Sequence, residues 1–176
     1  HYSAGIGTIS FAWNKEEGVA LSIANLFNDP TSVTKIKLLK SFFNNFKHRL
    51  IFHNSGYDIT VLIYTLYMAH LEDTEGLLEG LNVFSKISQD TLLITYLAMN
   101  STARNSLGLK DLAQEFAGNY ALEDIKDITK IPLPKLLKYN LIDAMSTWYV
   151  LEKYYPKLIS DGQKEVYENI FRPAMF

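Results

Sequence analysis

Two short stretches of the chain combine a carboxylate with polar and aromatic neighbours: His53-Asn54-Ser55-Gly56-Tyr57-Asp58 and Tyr139-Asn140-Leu141-Ile142-Asp143. In the second, Tyr139 and Asp143 stand four residues apart, so on a helix both side chains reach the same region of space. Carboxylates from separate elements, Asp58 and Asp143, suit a hard, oxygen-seeking ion such as Mg²⁺ or Mn²⁺. Each stretch also has a plainer reading. Asn54 and Ser55 can simply cap a helix whose dipole Asp58 complements. Asp143 can be exposed, with Tyr139 at the rim of a core. Cysteine is absent, which excludes thiolate chemistry and disulfides.

The elements that must position these residues follow from periodicity. A β-rich run from Gly5 to Trp13, a turn at Asn14 to Gly18 and a second apolar run from Val19 to Ile23 predict a hairpin. Val33, Ile36, Leu39, Phe43 and Phe46 recur at helical spacing, so Thr31 to Lys47 reads as a helix with Thr31 or Ser32 as cap. Arg49 to His53 reads as a short strand, followed by a helix from about Tyr57 to Met68. The first candidate stretch therefore lies at a strand end, where ligands bind in open α/β sheets. Val83 to Ile87 reads as another strand, Asp90-Thr91 as the start of a helix through Met99, and Leu107 to Phe116 as one more helix. Gly118 to Pro132 has no clean period. A long helix should start near Pro134 and stop before Pro156, with a helical tail from Ser160 to Ile170. This order, ββαβαβ and then helices, specifies an α/β or α+β domain.

Composition narrows the function classes. The 176 residues can bury a core without metal or disulfide support. The net charge of −2 argues against gripping nucleic acid by bulk positive charge, while leaving a local basic strip open. No apolar run approaches the ~20 residues of a membrane span. The opening His1-Tyr2-Ser3-Ala4 resembles neither an initiator nor a secretory signal, so the chain is expected to be part of a longer polypeptide.

Asn54-x-x-Tyr57-Asp58 after a strand and Tyr139-x-x-x-Asp143 in a helix resemble the second and third motifs of the DnaQ-like 3′–5′ exonucleases of the DEDDy type. Asp90-Thr91-Leu92 and Ser106-Leu107-Gly108-Leu109-Lys110-Asp111-Leu112-Ala113 are similar to segments between those motifs. The run Gly7 to Trp13 with Gly18-Val19-Ala20 is similar to the hairpin of the proofreading domain of bacterial DNA polymerase I. Tyr167 through Pro173 resembles the helix leading into the polymerase domain of family A enzymes, and His53-Asn54 looks more phage-type than bacterial.

The resemblance implies an α/β, ribonuclease H-like mixed sheet flanked by helices. Residues 1–158 would be the exonuclease domain and 159–176 a helix leading toward a polymerase domain. It implies proofreading in a cytoplasmic setting, bacterial, phage-infected or organellar: hydrolysis of the terminal phosphodiester at a single-stranded 3′ end of DNA, releasing nucleoside monophosphates. The implied partners are that 3′ end and a polymerase domain of the same polypeptide, with no membrane. The family holds two divalent ions, Mg²⁺ or Mn²⁺, with four carboxylates, of which Asp58 and Asp143 match two. Tyr139 matches the tyrosine that orients the attacking water. Asn54 and Tyr57 would line the terminal nucleotide with His53 close by, Arg104 would contact a phosphate and Leu122 would be an apolar wedge.

The family's first motif, Asp-x-Glu on a central strand, should precede the hairpin, where only His1 to Ala4 stand. That strand is therefore expected from outside this chain, and its loss should leave two strand edges unpaired. Asp73-Thr74-Glu75 has the right letters but follows a helix and lacks an apolar strand before it, so it reads as lying outside the site. Two alternatives remain: an RNase D-like exoribonuclease, and a degenerate exonuclease fold that acts as a structural or DNA-guiding module.

Overall fold

The computed structural model describes residues 6–23, 31–99, 106–118 and 131–176. Strands β1 (Thr8–Ala12) and β2 (Gly18–Ser22) pair antiparallel, Thr8 opposite Ser22 and Ala12 opposite Gly18. The turn between them is set by Asn14, whose Oδ1 accepts the N–H groups of Glu16 and Glu17, both at 2.7 Å, an Asx-type turn that matches the predicted hairpin. Helix α1 (Ser32–Asn45) follows, then β3 (Leu50–Phe52) and α2 (Ser55–Leu66), close to the expected positions.

The next element departs from expectation. Val83 to Ile87 is not a strand but the last turn of helix α3 (Thr74–Ile87), whose Gly80, Phe84 and Ile87 are buried at three- and four-residue spacing. The β-forming side chains at its end satisfy the helical period, and packing overrides their local preference. Asp73 starts this helix by accepting the Gly76 N–H at 2.9 Å, so Asp73-Thr74-Glu75 is a helix start. The strand itself, β4, is the polar tripeptide Ser88–Asp90, wholly buried and parallel to β3 with Phe52 opposite Asp90.

Helix α4 (Thr91–Ala98) begins directly after β4. The predicted helix from Leu107 to Phe116 divides into α5 (Leu109–Leu112) and α6 (Gln114–Ala117), because Ala113 at φ −101°, ψ 8° leaves helical geometry. Helix α7 (Leu133–Ser160) is the long helix, and it passes through Pro156. Proline removes one N–H and frees the carbonyl of Glu152, but both residues are exposed, so water can take that acceptor while the buried Leu158 anchors the turn beyond. The tail comprises α8 (Lys164–Val166), a π-helical turn at Tyr167–Phe171 and a 3₁₀ turn at Pro173–Met175.

The chain is thus a mixed α/β body, mostly helical, and among the described residues its strands form two separate ribbons, β1–β2 and β3–β4. Both ribbons rest on one core: Ile9, Phe11, Leu50 and Phe52 pack, half-buried, against buried Phe43, Ile63 and Phe84. Helices α2 and α3 approach closely at Gly80, where a Cβ would lie 2.8 Å from Ile63 Cγ2. A second core joins Ile94 and Ala98 of α4 to Leu158 of α7 and to Tyr167, which is fully buried. Arg172 binds the tail to the rest by donating from Nε to the Ser88 carbonyl (2.9 Å) and from Nη2 to the carbonyls of Ser85 (3.1 Å) and Lys86 (2.9 Å). Among the described residues no helix is long and apolar enough to cross a membrane.

Candidate functional site

Strand β3 hands the chain to α2 through an unusual residue. Asn54 has φ 61° and ψ 57°, the left-handed region that asparagine tolerates better than most side chains. Asn54 makes no side-chain cap. Instead the carboxylate of Asp90, at the end of β4, accepts the backbone N–H groups of Asn54 (2.9 Å) and Ser55 (2.8 Å). The same carboxylate accepts the Leu92 N–H at 2.8 Å, so one buried anion caps both α2 and α4. The Asp90 N–H donates in turn to the hydroxyl of Tyr167 at 3.0 Å. Capping by Asn54 or Ser55, the plainer reading of the sequence, is therefore replaced by capping from a distant strand.

The left-handed residue carries a prediction. Asn54→Val is expected to lower stability by about 1–2 kcal/mol, the cost of a β-branched side chain in that conformation. Asn54→Gly should stay within about 0.5 kcal/mol of the parent, because glycine adopts it freely. Urea unfolding of the two variants side by side measures the difference.

Asp58 lies one turn into α2. Its side chain is exposed to solvent, yet the surrounding protein and then the charge of Asp90 push its pKa up to about 6. Asp143 is half-buried in α7, and burial pushes it up to about 6 as well, with Lys110 opposing the shift. Lys110 Nζ stands 5.5 Å from the centre of the Tyr139 ring, a cation–π distance. Tyr139, Asp143 and Lys110 therefore share one neighbourhood where α5 meets α7.

Asn140 fixes α7 against the hairpin. Its backbone carbonyl accepts from Ser10 Oγ at 2.8 Å, and its Nδ2 donates to Thr8 Oγ1 at 3.2 Å. Gly18 permits the contact, since a Cβ there would meet Leu141 Cδ1 at 2.8 Å. The helix face carrying Tyr139 and Asp143 is thereby set relative to β1.

The two carboxylates have different electrostatic neighbours, Asp90 for Asp58 and Lys110 for Asp143. Among the described residues no group of three or more histidine, aspartate or glutamate side chains is placed to hold a metal ion. Two carboxylates fall short of the donor set that two divalent ions require. Of the expected substrate contacts, Tyr57 is 65% exposed and Asn54 is exposed. His53 is engaged internally through both ring nitrogens, Nδ1 with Thr91 Oγ1 and Nε2 with the Leu107 carbonyl. Arg104 and Leu122 lie outside the described residues.

Sequence reasoning noticed Asp90 as a helix start and as part of a segment between the motifs, and did not single out Lys110. An Asp-Thr pair before an apolar run signals capping, but nothing local signals that the same carboxylate also caps a helix 35 residues earlier.

No family model, no curated protein and no solved structure matches the chain.

Proposed function

We propose that this chain forms the body of a DnaQ-like 3′–5′ exonuclease domain of the DEDDy type, of the kind that proofreads for a family A DNA polymerase within the same polypeptide. Its substrate is a single-stranded 3′ end of DNA, from which it releases nucleoside monophosphates. One observation carries the reading: the two carboxylates singled out by the motifs, Asp58 and Asp143, are, among the described residues, the aspartates pushed up to about 6. Carboxylates displaced in this way gather at functional sites.

The separation of the strands supports the same reading. Among the described residues β1 and β3 each have one strand neighbour, although both lie on one core. A strand entering between them would join the ribbons into a single ribonuclease H-like sheet. Carrying Asp-x-Glu, it would bring the two further carboxylates that the family uses to hold Mg²⁺ or Mn²⁺. Those ions supply the hydrolytic chemistry when bound. In this reading Tyr139 orients the attacking water, and Asn54 and Tyr57 receive the terminal nucleotide. Mispaired ends reach the site more readily because they are already unpaired.

A second reading, a non-catalytic module that guides single strands, is favoured by the lack of a three-ligand cluster among the described residues. The deciding experiment uses 3′-labelled DNA and RNA single strands with Mn²⁺. It compares this chain with one extended at its N-terminus by an apolar strand bearing Asp-x-Glu. The exonuclease reading expects mononucleotide release from DNA by the extended chain only. Binding without cleavage by either chain would put the guiding module in its place, and preferential degradation of RNA would favour the RNase D-like alternative. Neither binding nor cleavage would remove all three.

A further inference from the structure

The bonds around His53 contain more partners than protons. The Leu107 carbonyl can only accept, so Nε2, 2.9 Å away, carries a proton in either charge state of the ring. Thr91 Oγ1 has a single proton but lies 2.9 Å from His53 Nδ1 and 3.0 Å from the Phe52 carbonyl. With a neutral ring, Nδ1 is a lone pair and takes the Thr91 proton, and the Phe52 carbonyl loses it. With a charged ring, Nδ1–H donates to Thr91 Oγ1 and the hydroxyl donates to Phe52.

These bonds span the candidate site. Phe52 is the last residue of β3, which leads through left-handed Asn54 to Asp58. Leu107 precedes α5, which carries Lys110 to the ring of Tyr139. We propose that His53 is the positioning residue that joins these two halves, and that one proton on its ring decides whether the Thr91 hydroxyl is held by the ring or by the end of β3.

The charged group that acts on the ring is Asp90, from β4. Asp58 of α2 shares that neighbour. Thr91 of α4 offers a hydroxyl and the 106–108 stretch a carbonyl, while Lys110 and Asp111 of α5 engage Tyr139 and Ser106. Burial holds the ring below the ordinary histidine value of 6.5, against the pull of Asp90 and the Leu107 bond. The neutral arrangement therefore prevails at neutral pH, and acid switches it.

Nuclear magnetic resonance of the isotope-labelled chain tests this without any substrate, so its outcome is independent of the exonuclease reading. His53 should show the Nε2–H tautomer when neutral and titrate below 6.5, and the Phe52 carbonyl carbon should shift with the same midpoint. Thr91→Val should abolish the Phe52 response and Thr91→Ser should keep it. His53→Ala should speed amide exchange in residues 109–112 at least about tenfold and shift the Tyr139 ring signals. His53→Gln, which can still donate to Leu107, should restore most of both. An Nδ1–H neutral tautomer, or a Phe52 carbonyl that stays flat while the ring titrates, would overturn the proton switch. Unchanged exchange and Tyr139 signals in His53→Ala would overturn the positioning role.

Discussion

Asp90→Ala is expected to destabilise the chain by about 3–5 kcal/mol, the range for removing one side of a buried charged hydrogen-bond network. The carboxylate accepts three backbone N–H groups, from Asn54, Ser55 and Leu92. Ser55 is buried, so its N–H has no water to turn to. The two helix starts loosen together, because one anion serves both. Asp90→Asn, which keeps one acceptor oxygen, should lose less than the alanine variant. Urea unfolding decides: a lower midpoint at unchanged slope is the expected result. A loss below about 1 kcal/mol would show that the caps are dispensable.

Asp143→Asn should change stability and activity in opposite directions. Because burial raises its pKa to about 6 from the ordinary aspartate value of 3.8, the folded state binds more protons than the unfolded state between those values. Stability due to this group is therefore greatest below pH 3.8 and declines as pH rises through about 6. The asparagine variant escapes that decline. In metal-free buffer near pH 7.5 it should gain on the order of 1 kcal/mol, discounted for the group's partial solvent contact, or about 2–4 °C in Tm. Asp58 shifts in the same direction, and a thermal scan from pH 4 to 7 should show a flatter profile in Asp143→Asn and in Asp58→Asn alike. In the strand-extended chain the same Asp143→Asn change should lower mononucleotide release at least about a hundredfold, the scale of losing one electrostatic partner of a reaction centre. Gaining stability while losing turnover is the signature of a group retained for chemistry. A variant that loses stability, or keeps its turnover, would argue for a structural role.

The sequence carried the helices well, since α1, α2, α4 and α7 each repeat apolar residues at helical spacing. It misplaced β4 because Ser88-Gln89-Asp90 has neither apolar character nor alternation. Those three residues are a strand only through parallel pairing with β3, a long-range fact. Pro156 was read as a stop by its local chemistry, whereas an exposed carbonyl and the anchoring of Leu158 let the helix continue. Of the candidate site, spacing and motif singled out Asp58, Tyr139 and Asp143. The bridging by Asp90, the engagement of His53 and the approach of Lys110 to Tyr139 were not, because each joins segments that only the fold brings together. The division of the strands into two ribbons likewise depends on pairing that no local pattern encodes.

The clasp between the hairpin and α7 also orders events in time. Ser10 and Asn140 are 130 residues apart in sequence, and the hairpin meets its long helix through contacts of this span. On a ribosome adding about 5–20 residues per second, the hairpin emerges on the order of 10 s before its partner helix exists. During that interval the hairpin can meet α1 through Phe11, Phe42 and Phe43, but the face that α7 covers has no native partner. Docking of the hairpin on α7 is therefore a late step of folding.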